Sequence, residues 1–232
     1  MSTYFSVETD TSKIIIDDNF SNLAFVNKFQ VVIDKVGWFG DNFRTGTLTI
    51  SNAVNPVIAI KTSDMGVCLD RATNESTGVF TYIFKAGKAY SNTTITVYVF
   101  DSITTQGNFG LQTFDASGKI CFDSTLKYMR VKGSVTFTSY EGAINWPTLP
   151  TGNYAFVVSA CFGEVDEYHD AYETGEAFAI TNVWKFMIES LSTGARGYVE
   201  NVFNMRTSIG NTSQYNYGNK AGSILLVDVT GL

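Results

Sequence analysis

The densest set of groups able to do chemistry lies in Gly163–Ala177 (GEVDEYHDAYETGEA). It carries Glu164, Asp166, Glu167, Asp170, Glu173 and Glu176, the chain's one histidine, His169, and no Lys or Arg. Carboxylates this close, helped by backbone carbonyls, are hard oxygen ligands suited to calcium. Asp166, Glu167 and Asp170 are the candidate ligands, in a spacing that departs from the EF-hand loop. Two other readings stand beside the metal site. One is a solvated acidic loop between strands. The other is an acidic, aromatic patch in which Tyr168 and Tyr172 meet a protein or sugar partner.

Catalytic patterns are few. A serine-hydrolase triad would need His169 as base, yet no G-x-S-x-G occurs and no cysteine sits in a nucleophile motif. A glycosidase needs two carboxylates, for which Asp17, Asp18 and Asp123 are candidates. Each of them closes a strand ahead of a turn, where a carboxylate caps backbone N–H groups, so a structural role is expected. No Gly-rich phosphate loop is present. Aromatic side chains offer a different chemistry, that of contact. Trp38 and Phe39 in Lys35–Phe43 (KVGWFGDNF) are large rings beside glycines, expected to be buried by a partner. Trp146 lies in the proline-bearing connector Ile144–Thr151. Tyr215 and Tyr217 lie in Ser208–Gly222 (SIGNTSQYNYGNKAG), which reads as an exposed loop of adaptable hydrogen-bonding residues.

The elements that must position these groups are strands. Period-two alternation rich in Thr, Val, Ile, Phe and Tyr runs through most segments, among them Phe29–Asp34, Thr45–Ser51, Val79–Lys85, Thr94–Asp101 and Tyr154–Phe162. Val183–Ser192 (VWKFMIESLS) fits a short helix or a strand equally well. The chain has 232 residues, 44% hydrophobic, 14% aromatic and only 16% charged, so its surface polarity comes from Ser, Thr, Asn and Gly. A low charge density lowers the desolvation cost of a permanent interface. The net charge of −6, with no basic stripe, argues against a nucleic-acid partner. The cysteines, Cys68, Cys121 and Cys161, are odd in number and widely spaced, and read as buried reduced thiols formed in a cytoplasm. Neither a cleaved signal nor a membrane insertion is expected.

A faint internal repeat organises the whole. Tyr4–Val26 (YFSVETDTSKIIIDDNFSNLAFV) lies on Gly110–Lys132 (GLQTFDASGKICFDSTLKYMRVK) without a gap at an offset of 106 residues. Lys13 meets Lys119, Ile14 meets Ile120, Asp17 meets Asp123, and Leu23 meets Met129. Each copy reads as strand, tight turn, strand, short loop, strand. With the polar stretch Ser102–Asn108 as boundary, the expectation is an all-β protein of two tandem antiparallel sandwiches, immunoglobulin-like or jelly-roll-like, over residues 1–104 and 105–232.

Gly110–Arg130, GLQTFDASGKICFDSTLKYMR, resembles the opening of small all-β proteins encoded in the tail-gene region of tailed bacteriophages. These open on a Gly-Leu strand, an Asn/Asp-x-x-Gly turn and a strand closing on Asp-Ser. Tyr4–Asp18 is a looser version. The resemblance covers about 20 residues at each site and implies a non-enzymatic virion protein near the tail tip or fibres. Its partners would be other tail proteins, further copies of itself in a homo-oligomer, and a host-surface glycan or protein. It would fold in the host cytoplasm. A carbohydrate-binding module is the alternative, and a glycan-cleaving depolymerase a further one.

Overall fold

The computed structural model describes residues 6–8, 14–17, 22–36, 43–62, 66–87, 92–104, 109–137, 144–145, 150–160, 163–171, 177–191, 194–208, 215–219 and 222–232. The regular elements among them are strands. In chain order they are β1 (Ser6–Glu8), β2 (Ile14–Asp17), β3 (Ala24–Ile33), β4 (Lys35–Val36), β5 (Phe43–Ile50), β6 (Val57–Lys61), β7 (Val67–Ser76), β8 (Val79–Gly87) and β9 (Thr93–Asp101). The second half adds β10 (Gln112–Phe114), β11 (Ile120–Asp123), β12 (Arg130–Phe137), β13 (Ile144–Asn145), β14 (Tyr154–Ala160), β15 (Gly163–Ala171), β16 (Ala177–Leu191), β17 (Gly194–Ser208), β18 (Tyr215–Asn219) and β19 (Gly222–Asp228). The all-β expectation holds. The segment at 183–192 that fits helix or strand belongs to β16 up to Leu191.

The repeat is visible in the backbone. In the hairpin β1–β2, Ser6 pairs with Asp17, Val7 with Ile16 and Glu8 with Ile14. In β10–β11, Gln112 pairs with Asp123, Thr113 with Phe122 and Phe114 with Ile120. Every residue is displaced by the same 106 positions, and so is the register shift in each hairpin. The strands that follow keep the spacing. β3 begins at Ala24 and β12 at Arg130, opposite Asp101 and Asp228 respectively. Their bulges fall between Phe25 and Asn27 and between Val131 and Gly133, again 106 apart.

The two halves join edge to edge. A six-stranded sheet runs β12–β19–β14–β6–β9–β3, with β14 and β6 bridged at Phe156 and Ile60. The order is symmetric about that bridge, since β3–β9–β6 of the first half faces β14–β19–β12 of the second. The second sheet runs β13–β17–β16–β7–β8–β5–β4 and is bridged at Ile188 and Val67. The expected boundary near residue 104 therefore falls in a connector, while both sheets continue across the two halves. Alternation in sequence locates strands but does not say which strand they pair with.

One core lies between the sheets. Val31, Ile33, Ile60, Val97, Phe156 and Leu226 of the first sheet meet Leu48, Val67, Phe84 and Ile188 of the second. The opposite face of the six-stranded sheet is apolar too, with Tyr98, Phe100, Ala155, Val157 and Val227 buried beside Leu23, Phe25 and Met129. Burial on both faces explains why Ile95–Phe100 (ITVYVF) is a continuous apolar run. The bulges bend the starts of β3 and β12, and the segments leading into them pair with each other. The Phe25 N–H donates to Lys127 O at 2.6 Å, and the Met129 N–H to Leu23 O at 3.0 Å. On one side the sandwich is closed by a strand that changes sheets, β3 passing into β4 across Asp34. There Gly46 of β5 presses on β3: a Cβ would come within 2.7 Å of Val32 O.

Candidate functional site

Among the described residues, the second half carries an element the first does not show. β7 and β8 form a hairpin of 10 and 9 residues, whereas β16 and β17 each run 15. β16 is bridged to β7 at Ile188 and, through Ala177–Lys185, pairs along its whole width with β15. β15 in turn pairs with β18. The result is an arm ordered β17–β16–β15–β18, with β18 at its edge.

This arm corrects two expectations. Gly163–Ala171 is a strand rather than an acidic loop, and Tyr215–Asn219, expected within a loop, is its neighbour. Both corrections have one cause: long-range pairing overrides the weak local strand preference of Asp, Glu, Asn and Gly. The pairing brings together two segments that lie far apart in the chain. Val165 stands opposite Tyr217, Asp166 opposite Asn216 and Glu167 opposite Tyr215. Directly opposed residues share a face and strand neighbours alternate.

That geometry bears on the calcium candidates. Asp166, Glu167 and Asp170 all lie within β15. Of the other sequence candidates, Trp38, Phe39, Trp146 and Tyr172 lie outside the described residues. Among the cysteines, Cys68 and Cys121 are buried, and Cys161 lies outside the described residues.

Asp123 is a cap. It is fully buried, and its Oδ1 accepts from the Thr125 N–H at 2.8 Å and the Thr125 hydroxyl at 2.6 Å, while Gln112 Nε2 donates to Oδ2 at 2.8 Å. Asp115 does the same in the β10–β11 turn, accepting from the Ser117 and Lys119 N–H groups. Hydrogen bonds from Ser117 lead the effects that hold its carboxyl below its ordinary value. Asp101, the partner of Ala24, accepts from the Val54 and Asn55 N–H groups at 2.8 Å each. Tyr82 donates to Pro56 O at 3.1 Å. Burial, then the charge of Asp101, pushes the Tyr82 hydroxyl up to about 12, so it is no proton acceptor near neutrality.

Two features escaped sequence reasoning. The first is an apolar slot of about 690 Å³ lined by Val57, Ile58, Val157, Val158, Leu23, Met129 and Phe80. The coincidence of Leu23 with Met129 in the repeat is the signal that points to it. The second is a basic cluster around residues 228–232, gathered from Lys28, Lys127, Arg130 and Lys132. No element of its sequence is basic enough to announce it, because the four cations come from two different strands and a loop. Phe109, Leu111 and Phe114, in and just ahead of the repeated hairpin, are also exposed, Phe109 at 85%.

No protein-family model, curated protein or solved structure matches the chain.

Proposed function

We propose that this protein is a structural component of a bacteriophage virion, associated with the tail tip or fibres. It works by fitting against neighbouring proteins, without turnover. The observation that carries the reading is the arm, where an acidic strand and a Tyr- and Asn-rich strand, distant in sequence, are laid side by side on one half of a duplicated sandwich. Such a surface offers aromatic area, adaptable hydrogen bonds and charge, which are the ingredients of a specific interface. The resemblance of Gly110–Arg130 to tail-region proteins supports placing that interface in a tail. Quantitative mass spectrometry of purified particles tests this. The chain should be present at a fixed ratio to the tail proteins, and its absence from particles would overturn the reading.

Tyr215 and Tyr217 favour a second reading, a carbohydrate-binding module. They lie two residues apart on one strand, and aromatic rings of this kind stack on sugars. A glycan array with a reducing-sugar assay separates the possibilities. Binding without turnover supports the module, and turnover lost on neutralising one carboxylate pair supports a depolymerase.

A further inference from the structure

In a chain of net charge −6, four of the 16 Lys and Arg residues close on one stretch of five. Lys28 Nζ donates to Leu232 O at 3.0 Å, Lys127 Nζ to Gly231 O, and Arg130 Nη2 to Thr230 O at 2.6 Å. Arg130 and Lys132 lie 3.5 and 3.8 Å from Asp228. The Gly231 and Thr230 carbonyls orient Lys127 and Arg130 without cancelling their charge. Asp228 is the one side-chain carboxylate these contacts supply. The Arg130 and Lys132 side chains remain 50% and 47% exposed, and Lys127 and Arg130 border a cavity of about 400 Å³ with Tyr128 and Thr230. The site is positive, open and pre-oriented.

The complementary charge is carried by the same chain. β15 holds Glu164, Asp166, Glu167 and Asp170 with no cation, and its neighbour β18 holds no charge at all. Across the four strands of the arm, six acidic residues stand against Lys185, Arg196 and Arg206. We propose that the basic site receives the acidic arm of a second copy, so that copies join head to tail. The inference rests on the assembly reading above and names the partner. Because the two surfaces differ, the contact is heterologous: it closes a ring if the rotation closes and builds a filament if it does not. Charge of this kind steers encounter and fixes register, and it weakens as salt screens it.

Sedimentation equilibrium of the full chain at about 0.02 M and about 0.5 M salt tests this directly. Association should weaken at least tenfold at the higher salt. The double variant Lys28→Glu with Lys132→Glu, and the double variant Glu164→Lys with Asp166→Lys, should each stay folded and monomeric. An equimolar mixture of the two should associate again. Should a charge-reversed chain fail to fold, Lys28→Gln with Lys132→Gln carries the same test, with at least a tenfold loss of association expected. A chain that is monomeric at both salts, or variants that associate as the parent does, would overturn the contact. Presence of that monomeric chain in particles would leave the assembly reading standing, whereas its absence would remove both.

Discussion

The N-terminal and C-terminal halves open alike and then diverge. Both begin with a hairpin of the same register, pass through a bulged edge strand, and return to pair that strand with their last one. Past this shared plan the first half makes a short hairpin, β7–β8, while the second extends its counterpart into β16–β17 and lays β15 and β18 alongside. What the halves share is what the core requires: strands of fixed register with buried branched and aromatic residues. What differs lies outside that requirement. The additions are β15 and β18, laid alongside β16, whose Met187 and Ile188 are themselves buried.

Perturbing one half at a time sharpens this. The largest effect is expected at the seam, where Phe156, fully buried, stands opposite Ile60 of the other half. Phe156→Ala should cost about 3–5 kcal/mol. Hydrogen exchange in β9 and β19 should accelerate together. Acceleration confined to β19 would break the claim that the halves share a core. Gly46→Val probes the closed side of the first half. The added Cβ would meet Val32 O and Ile33 Cδ1 at 2.7 Å and Val31 Cγ1 at 2.9 Å. Overpacking against strand backbone should cost about 1–3 kcal/mol in urea denaturation.

The repeat makes a paired prediction. Asp123→Ala leaves the Thr125 and Gln112 donors without their acceptor, at about 1–3 kcal/mol. If the copies are equivalent, Asp17→Ala should lower the melting temperature by a similar amount. A neutral Asp17 variant beside a damaging Asp123 one would mean that the copies have parted in their capping chemistry.

The smallest effect is a pH dependence special to the second half. Burial raises the Asp228 carboxyl, but hydrogen bonds from Thr230 and the charges of Arg130 and Lys132 outweigh it, so the group sits below its ordinary value. A carboxyl whose folded value is lowered adds stability above its unfolded value and loses it as pH falls through the folded one. Melting temperature should be level above about pH 5 and decline below about pH 4. Asp228→Asn should flatten part of that decline. An unchanged slope in the variant would remove Asp228 from the account.

Much of the fold can be read in the sequence because its signals are local. Turn residues such as Asp115 and Gly118, and the parity of Ile14, Ile16 and their counterparts, mark the repeated hairpin in the order of residues alone. The bulges cannot be read that way, since Val26 and Lys132 share no residue type and only their position marks them. The arm is hidden for a related reason. Charge and Asn content make 163–171 and 215–219 look like loops, and only their pairing across a long separation makes them strands. The basic cluster is hidden because its members come from elements that meet only in the folded chain.

Differential scanning calorimetry of the full chain tests the central claim most directly, that a duplicated unit has become one cooperative body with an arm added to one side. Sheets and core continuous through both halves predict a single transition whose calorimetric and van't Hoff enthalpies agree. Two resolved transitions, or a calorimetric enthalpy near twice the van't Hoff value, would contradict it.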